Sequence, residues 1–191
     1  MDKSQRKLNR FSDYDYNLPG YYFITICTQN KLEYFGQVEN QKMILNQYGK
    51  IAGKFWADIP KHYQNVAINE FIIMPNHIHG IIEIKNNNVI GAINVGTGHC
   101  PVQGAGLNNR TGHCPVPTRA NEKNYGLISK IINSYKNVVI KQIRQQFNDY
   151  EFQWQRSFYD HVILDDEGLY NIREYIINNP IVYKINKNRN V

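Results

Sequence analysis

The stretch "NVAINEFIIMPNHIHGIIEI" (65–84) holds two β-branched, apolar runs separated by the turn "MPNH". Runs of this kind, bounded by Pro and Asn, read as consecutive strands. In the second run side chains alternate between faces, so His77 and His79 share one face and Ile78 looks the other way. A hairpin with two imidazoles on one side is the feature around which the rest of the chain must be arranged.

Upstream, "YYFITICTQ" (21–29) follows Pro19-Gly20 and reads as a further strand. From Lys42 to Ile59, Met43, Ile44, Ile51, Ala52, Phe55 and Trp56 fall at helical spacing, with Pro60 as a stop. Residues 86–123 break the pattern. They are rich in Asn and Gly, hold no acidic residue before Glu122, and read as a mobile inserted loop. Helical periodicity returns with Leu127, Ile128, Ile131, Ile132, Tyr135, Val138 and Val139. "SFYDHVILD" (157–165) reads as a last strand, and "DEGLYNIREYIINNP" (166–180) as a helix with an acidic first turn, closed by Pro180. The resulting order, β-α-β-β-α-β-α, fits an α+β fold. It predicts a ferredoxin-like split βαβ antiparallel sheet with helices on one face, plus an extra C-terminal helix.

The bulk properties narrow the class. At 191 residues the chain suits one domain, and 42% hydrophobic residues exclude a disordered polymer. The net charge of +6 favours a polyanionic partner without naming it. The opening "MDKSQRKLNRFSDYDYNLPG" (1–20) is basic and lacks the apolar core of a secretory signal, and no apolar run is long enough for a membrane span. Cys27, Cys100 and Cys114 do not make a disulfide framework, so a cytoplasmic, reducing location is expected. The organisation predicted is a basic arm (1–20), a domain (21–185) interrupted at 86–123, and a basic tail (186–191).

Two small constellations carry possible chemistry. His77 and His79 are either surface histidines on a strand or a pair able to share a cation. Tyr175 and Asn179, four apart on a helix, lie on one face. They are either the flank and end of an amphipathic helix or partners in a reaction. A tyrosine can attack phosphorus covalently, but a phenol ionises near pH 10 in water and needs help at neutral pH. A divalent ion held by two imidazoles and an amide oxygen would stabilise charge on a phosphate. Imidazole suits Mn²⁺, whereas Mg²⁺ prefers oxygen.

Four segments, "YDYNLPGYYFITICTQNKLEYFG" (14–36), "FIIMPNHIHGIIEI" (71–84), "FQWQRSFYDHVI" (152–163) and "IREYIINNP" (172–180), resemble the single-tyrosine HUH transposases of the REP-associated type. These are relatives of the transposases of single-strand-transposing insertion sequences. The likeness runs from about residue 10 to 185, the insert excepted. It implies a metal-dependent DNA endonuclease and strand transferase acting on single-stranded DNA beside hairpins, as a monomer or homodimer. Matched by motif, Tyr175 is the nucleophile, His77 and His79 are metal ligands (Mg²⁺ or Mn²⁺), and Asn179 is the third, amide ligand. His161 matches a recurrent residue to which the resemblance assigns no role. Phosphate contacts are expected from Lys3, Arg6, Lys7 and Arg10 of the arm, and from Lys130, Lys136, Lys141 and Arg144 of the long helix. The alternative is a non-catalytic single-stranded nucleic-acid binder that stacks bases on sheet aromatics such as Tyr21 or Tyr22.

Within the insert "TGHCPV" occurs twice, at 97–102 and 111–116. Adjacent His-Cys pairs (His99-Cys100, His113-Cys114) do not have the spacing of a zinc clip. The codons, ACN GGN CAY TGY CCN GTN, offer a better account: folded about the third base of the histidine codon, every base that the genetic code fixes faces its complement. The insert is thus expected to be a translated pair of palindromic elements. The gene's wobble bases should complete both stems, and the protein should hold no zinc that Cys100→Ser releases. Wobble bases mismatched across the dyad in both copies, or zinc lost from that variant, would refute it.

Overall fold

A computed structural model describes residues 17–86 and 126–189. The arm residues Lys3, Arg6, Lys7 and Arg10 and the repeat histidines and cysteines lie outside the described residues. Six strands and four helices follow in order: β1 (Gly20–Cys27), β2 (Gly36–Glu39), β3 (Lys42–Leu45), α1 (Gln47–Ala57), α2 (Ile59–His62), β4 (Val66–Met74), β5 (His77–Ile84), α3 (Leu127–Phe147), β6 (Tyr159–Ile163) and α4 (Asp166–Arg189). A short 3-10 turn, Gln29–Lys31, follows β1.

Four strands form one antiparallel sheet in the order β4-β5-β1-β6. Each half of the chain contributes a strand, a helical crossover and a second strand, and the two halves interleave. This is the ferredoxin-like arrangement anticipated from the element order. The helices divide between the faces. Tyr22, Ile24 and Ile26 of β1 and Ile78, Ile82 and Ile84 of β5 pack beneath α1 and α3, which supply Trp56, Ile128, Ile132, Tyr135 and Val139. The opposite face carries a smaller core, in which Phe23, Ile81 and Ile163 meet Leu169 and Ile176 of α4. Among the described elements, α4 is the one helix that covers the second face.

A bulge between Ile68 and Phe71 keeps β4 on both layers: Ile68 pairs with Ile82 and Phe71 with Gly80, so Asn69 and Glu70 oppose one residue. On β5, Gly80 allows the Trp56 indole to lie against the sheet. A Cβ there would meet Trp56 Cζ2 at 2.5 Å.

Three expectations need correction. Met43 and Ile44 belong to β3, not to a helix beginning at Lys42. Asn40 and Gln41 take positive φ (46° and 62°) and turn the chain into the two-stranded hairpin β2-β3. The helix starts only after Asn46, whose Oδ1 caps it by accepting from Gly49 N at 3.0 Å. Pro60 ends nothing; it lies in the first turn of α2, where its fixed φ suits a helix start. Pro180 also fails to close its helix, since α4 runs through it to Arg189 and takes in residues 186–189 of the expected tail.

Gly80→Ala should lower unfolding stability by about 1–3 kcal/mol through overpacking against Trp56. Urea unfolding checks this, and an unchanged midpoint would mean that the indole has room to retreat.

Candidate active site on the α4 face

Strand alternation and the β1·β5 register place the candidate residues. His79 pairs with Thr25 and His77 with Cys27, all on the face that α4 covers. The imidazole rings lie 4.6 Å apart between centroids. His79 is buried and stacks on Phe23 at 5.4 Å, while its Nδ1 lies 2.9 Å from Thr25 Oγ1. His77 is half-buried, with Nδ1 2.6 Å from Asn76 Oδ1.

Helix α4 brings its residues to the same spot. Asp165 Oδ1 caps it by accepting from Gly168 N at 2.7 Å, and Leu169, Ile172 and Ile176 seat it on the sheet. One turn after Ile172, Tyr175 stands at the edge of that stripe, 45% exposed, with its hydroxyl 3.3 Å from His79 Nε2. One turn further, Asn179 is 4% exposed and hydrogen-bonds the His77 side chain. Two polar ties bracket this segment: Arg173 Nε donates to Asn69 Oδ1 in the β4 bulge at 2.8 Å, and Tyr183 Oη donates to Glu33 Oε1 at 2.9 Å. The four residues singled out as a reactive set, His77, His79, Tyr175 and Asn179, therefore meet, and they do so within one chain.

Burial dominates the electrostatics. It pushes His77 down to about 4, opposed by its bond to Asn179 and assisted by the Lys31 charge. It pushes His79 down to about 3, assisted by His77. Both rings are therefore neutral at pH 7, and each keeps one nitrogen lone pair that a cation could take in place of a hydrogen-bond neighbour. Two neutral imidazoles and one buried amide oxygen suit a borderline divalent ion and leave coordination positions for water or phosphate oxygens. Among the described residues no cluster of three or more His, Cys, Asp or Glu side chains offers a metal site, so a third protein ligand here would be the Asn179 amide.

Other sequence-derived candidates are distributed differently. His161 is exposed on β6, opposite Phe23 and on the α4 face, but one strand beyond β1. Lys130, Lys141 and Arg144 sit on α3, across the sheet from Tyr175, and the Arg144 guanidinium lies over the Tyr150 ring. Lys136 is not a surface phosphate contact. It is 7% exposed, and its ammonium donates to the carbonyls of Gln155 and Ser157 at 2.8 and 3.0 Å. Burial lowers its pKa to about 8. Tyr22 is no stacking platform either, being fully buried with its hydroxyl on the Leu18 carbonyl. Thr25, Phe23, Asn76 and Tyr183 were not singled out from the sequence. Only strand alternation hinted at the first two, and nothing in one chain's sequence reveals which strand lies beside β5.

No family model matches the chain. An uncharacterized protein of Haemophilus influenzae is 36% identical over 179 residues, covering 94% of this chain and 90% of that protein. Among solved structures, a REP-associated tyrosine transposase bound to a REP hairpin aligns at TM-score 0.48 and 13% identity, over 91% of this chain and 73% of that one. A proposed transposase of Deinococcus radiodurans aligns at TM-score 0.41 and 14% identity, over 88% and 95%. At scores below one half, neither likeness bears on what the site does.

The neutral histidines make stability acid-sensitive. Their folded pKa values lie below the unfolded value near 6.5, so the unfolded chain binds more protons as pH falls. The stability is fully present above about 6.5 and is lost from there toward 4 and 3. The slope is about 1.4 kcal/mol per pH unit for each ring. Urea unfolding at pH 7 and 5 should show this loss, reduced in a His77→Ala/His79→Ala variant; an equal loss in that variant would place the protons elsewhere.

Proposed function

We propose that this chain, which belongs to one family with the Haemophilus influenzae protein, is a single-stranded DNA endonuclease and strand transferase of the HUH transposase type. The observation that carries this reading is the contact of Tyr175 with His79, the inner member of a pair of neutral imidazoles. Its hydroxyl lies 3.3 Å from His79 Nε2, and Asn179, one helical turn on, bonds His77. Half-exposed, the tyrosine is open to a strand of DNA, whereas the histidines and the amide lie beneath it.

In this mechanism the Tyr175 oxygen attacks a DNA phosphodiester as its phenolic proton passes to solvent. The bond from phosphorus to the 3′-oxygen breaks, and that oxygen leaves as a 3′-hydroxyl after taking up a proton. The product is a 5′-phosphotyrosine. Because the number of phosphoester bonds is unchanged, a second 3′-hydroxyl can reverse the step and join strands without a nucleotide cofactor. A Mg²⁺ or Mn²⁺ ion held by His77, His79 and Asn179 would supply positive charge to the phosphate oxygens. Phe23 and Thr25 hold the His79 ring, and the Arg173–Asn69 and Tyr183–Glu33 ties keep Tyr175 over it. With one nucleophile per site, cleavage and rejoining alternate.

The proposed substrate is single-stranded DNA next to a hairpin. Its phosphates would be met by Lys3, Arg6, Lys7 and Arg10, and by the exposed Lys31, whose charge already acts on His77. Lys130 and Lys141 could contribute only if DNA passes around the sheet edge.

Tyr175→Phe should reduce cleavage by roughly a thousandfold or more and abolish the covalent protein–DNA adduct, with hairpin binding and melting temperature nearly unchanged. Denaturing gels with labelled hairpin DNA read this directly. An adduct that persists in the variant, or that maps to Tyr170 or Tyr183, sinks the assignment. Cleavage without any adduct would favour a water-using phosphoesterase.

A further inference from the structure

Asn76, in the turn between β4 and β5, spans two partners with opposite ends of its amide. Its Nδ2 donates to the Lys31 carbonyl at 3.1 Å, and its Oδ1 lies 2.6 Å from His77 Nδ1. A carbonyl only accepts, so the nitrogen end of the amide must face Lys31 and the oxygen end must face the histidine. An amide oxygen also only accepts. His77 Nδ1 therefore faces an acceptor. The ring's other partner, Asn179, also favours the protonated form and competes for the one hydrogen of the neutral ring; the 2.6 Å contact with Asn76 gives that hydrogen to Nδ1 and leaves the lone pair on Nε2.

We propose that Asn76 is a positioning residue that fixes His77 as the Nδ1–H tautomer and so presents Nε2 as the ligating atom. Free imidazole side chains favour the hydrogen on Nε2, which would block that nitrogen. Asn76 reverses the preference, and its own place is secured because its backbone carbonyl accepts from Thr28 N at 2.9 Å and Thr28 Oγ1 at 3.0 Å. Thr25 cannot impose a tautomer on His79 in the same way, since a hydroxyl both donates and accepts. The turn thus reads Lys31 carbonyl, Asn76 amide, His77 ring, in one fixed sense. The consequence for a bound ion rests on the function proposed above. The tautomer itself does not.

The test uses the full chain, metal-free, with ¹⁵N-labelled histidine. Long-range proton–nitrogen correlation should find His77 protonated at Nδ1 in the native protein and shifted toward Nε2 protonation in Asn76→Ala. Asn76→Asp, which keeps an acceptor, should restore the native tautomer. In a Mn²⁺ titration followed by electron paramagnetic resonance, Asn76→Ala should bind about 10–100-fold more weakly, and Asn76→Asp at least as tightly as the native protein. Nε2 protonation of His77 in the native protein overturns the proposal, as does an unchanged tautomer in Asn76→Ala; the first needs no variant to fold. A native protein with the Nδ1–H tautomer that forms no DNA adduct upholds the role of Asn76 while defeating the endonuclease reading.

Discussion

The antiparallel pairing of β5 with β1 is the constraint on which the rest depends. Its register sets Ile78, Gly80 and Ile82 against the α1–α3 core and turns His77 and His79 toward α4. A slip of one residue would bury two imidazoles under Trp56 and push isoleucines onto the other face. The packing of Trp56 against Gly80 penalises such a slip sterically, because no neighbouring residue of β5 lacks a side chain.

That arrangement gives the two faces unequal work. The larger core beneath α1 and α3 contains most of the fully buried side chains and carries the fold. The smaller core is a thin apolar seam, and polar groups are set directly beside it. Phe23 belongs to both worlds: it packs with Ile81 and Leu169, and it also forms the floor on which His79 stacks and against which the Tyr175 ring stands edge-on at 6.1 Å. The low-dielectric surroundings that keep the imidazoles neutral are thus made by the same side chains that hold the helix down.

Much of this was legible because period and chemistry agreed. His77-x-His79 on a strand and Tyr175-x-x-x-Asn179 on a helix each declare a shared face, and both faces proved to be the same one. The hairpin β2-β3 was hidden because Met43 and Ile44 fit a helical stripe as well as a strand, and the turn at Asn40-Gln41 lacks a glycine. Pro180 looked like a stop because proline lacks the N–H that an interior helical position uses, yet the segment around it is anchored by side chains. Lys136 looked solvated because a lone lysine on an amphipathic helix usually is. What reversed that was the connection between α3 and β6, which folds back so that the carbonyls of Gln155 and Ser157 take the ammonium. Asn76 reads as part of a turn, which it is; its second task depends on the Lys31 carbonyl, 45 residues away, which no single-sequence pattern reveals.

The sheet also has a quiet end. His77 opens β5, and Ile84 closes it beside Gly20 and Val66, seven residues away and roughly 23 Å at 3.3 Å per residue. The chain re-enters the fold at that same end, where Leu127 N donates to Asn17 Oδ1. Both junctions of the β5–α3 connection therefore lie at the end of the sheet opposite His77. Length added between those two junctions enters and leaves the fold at the end of the sheet opposite the two histidines, so it can change without altering the strand register that sets them.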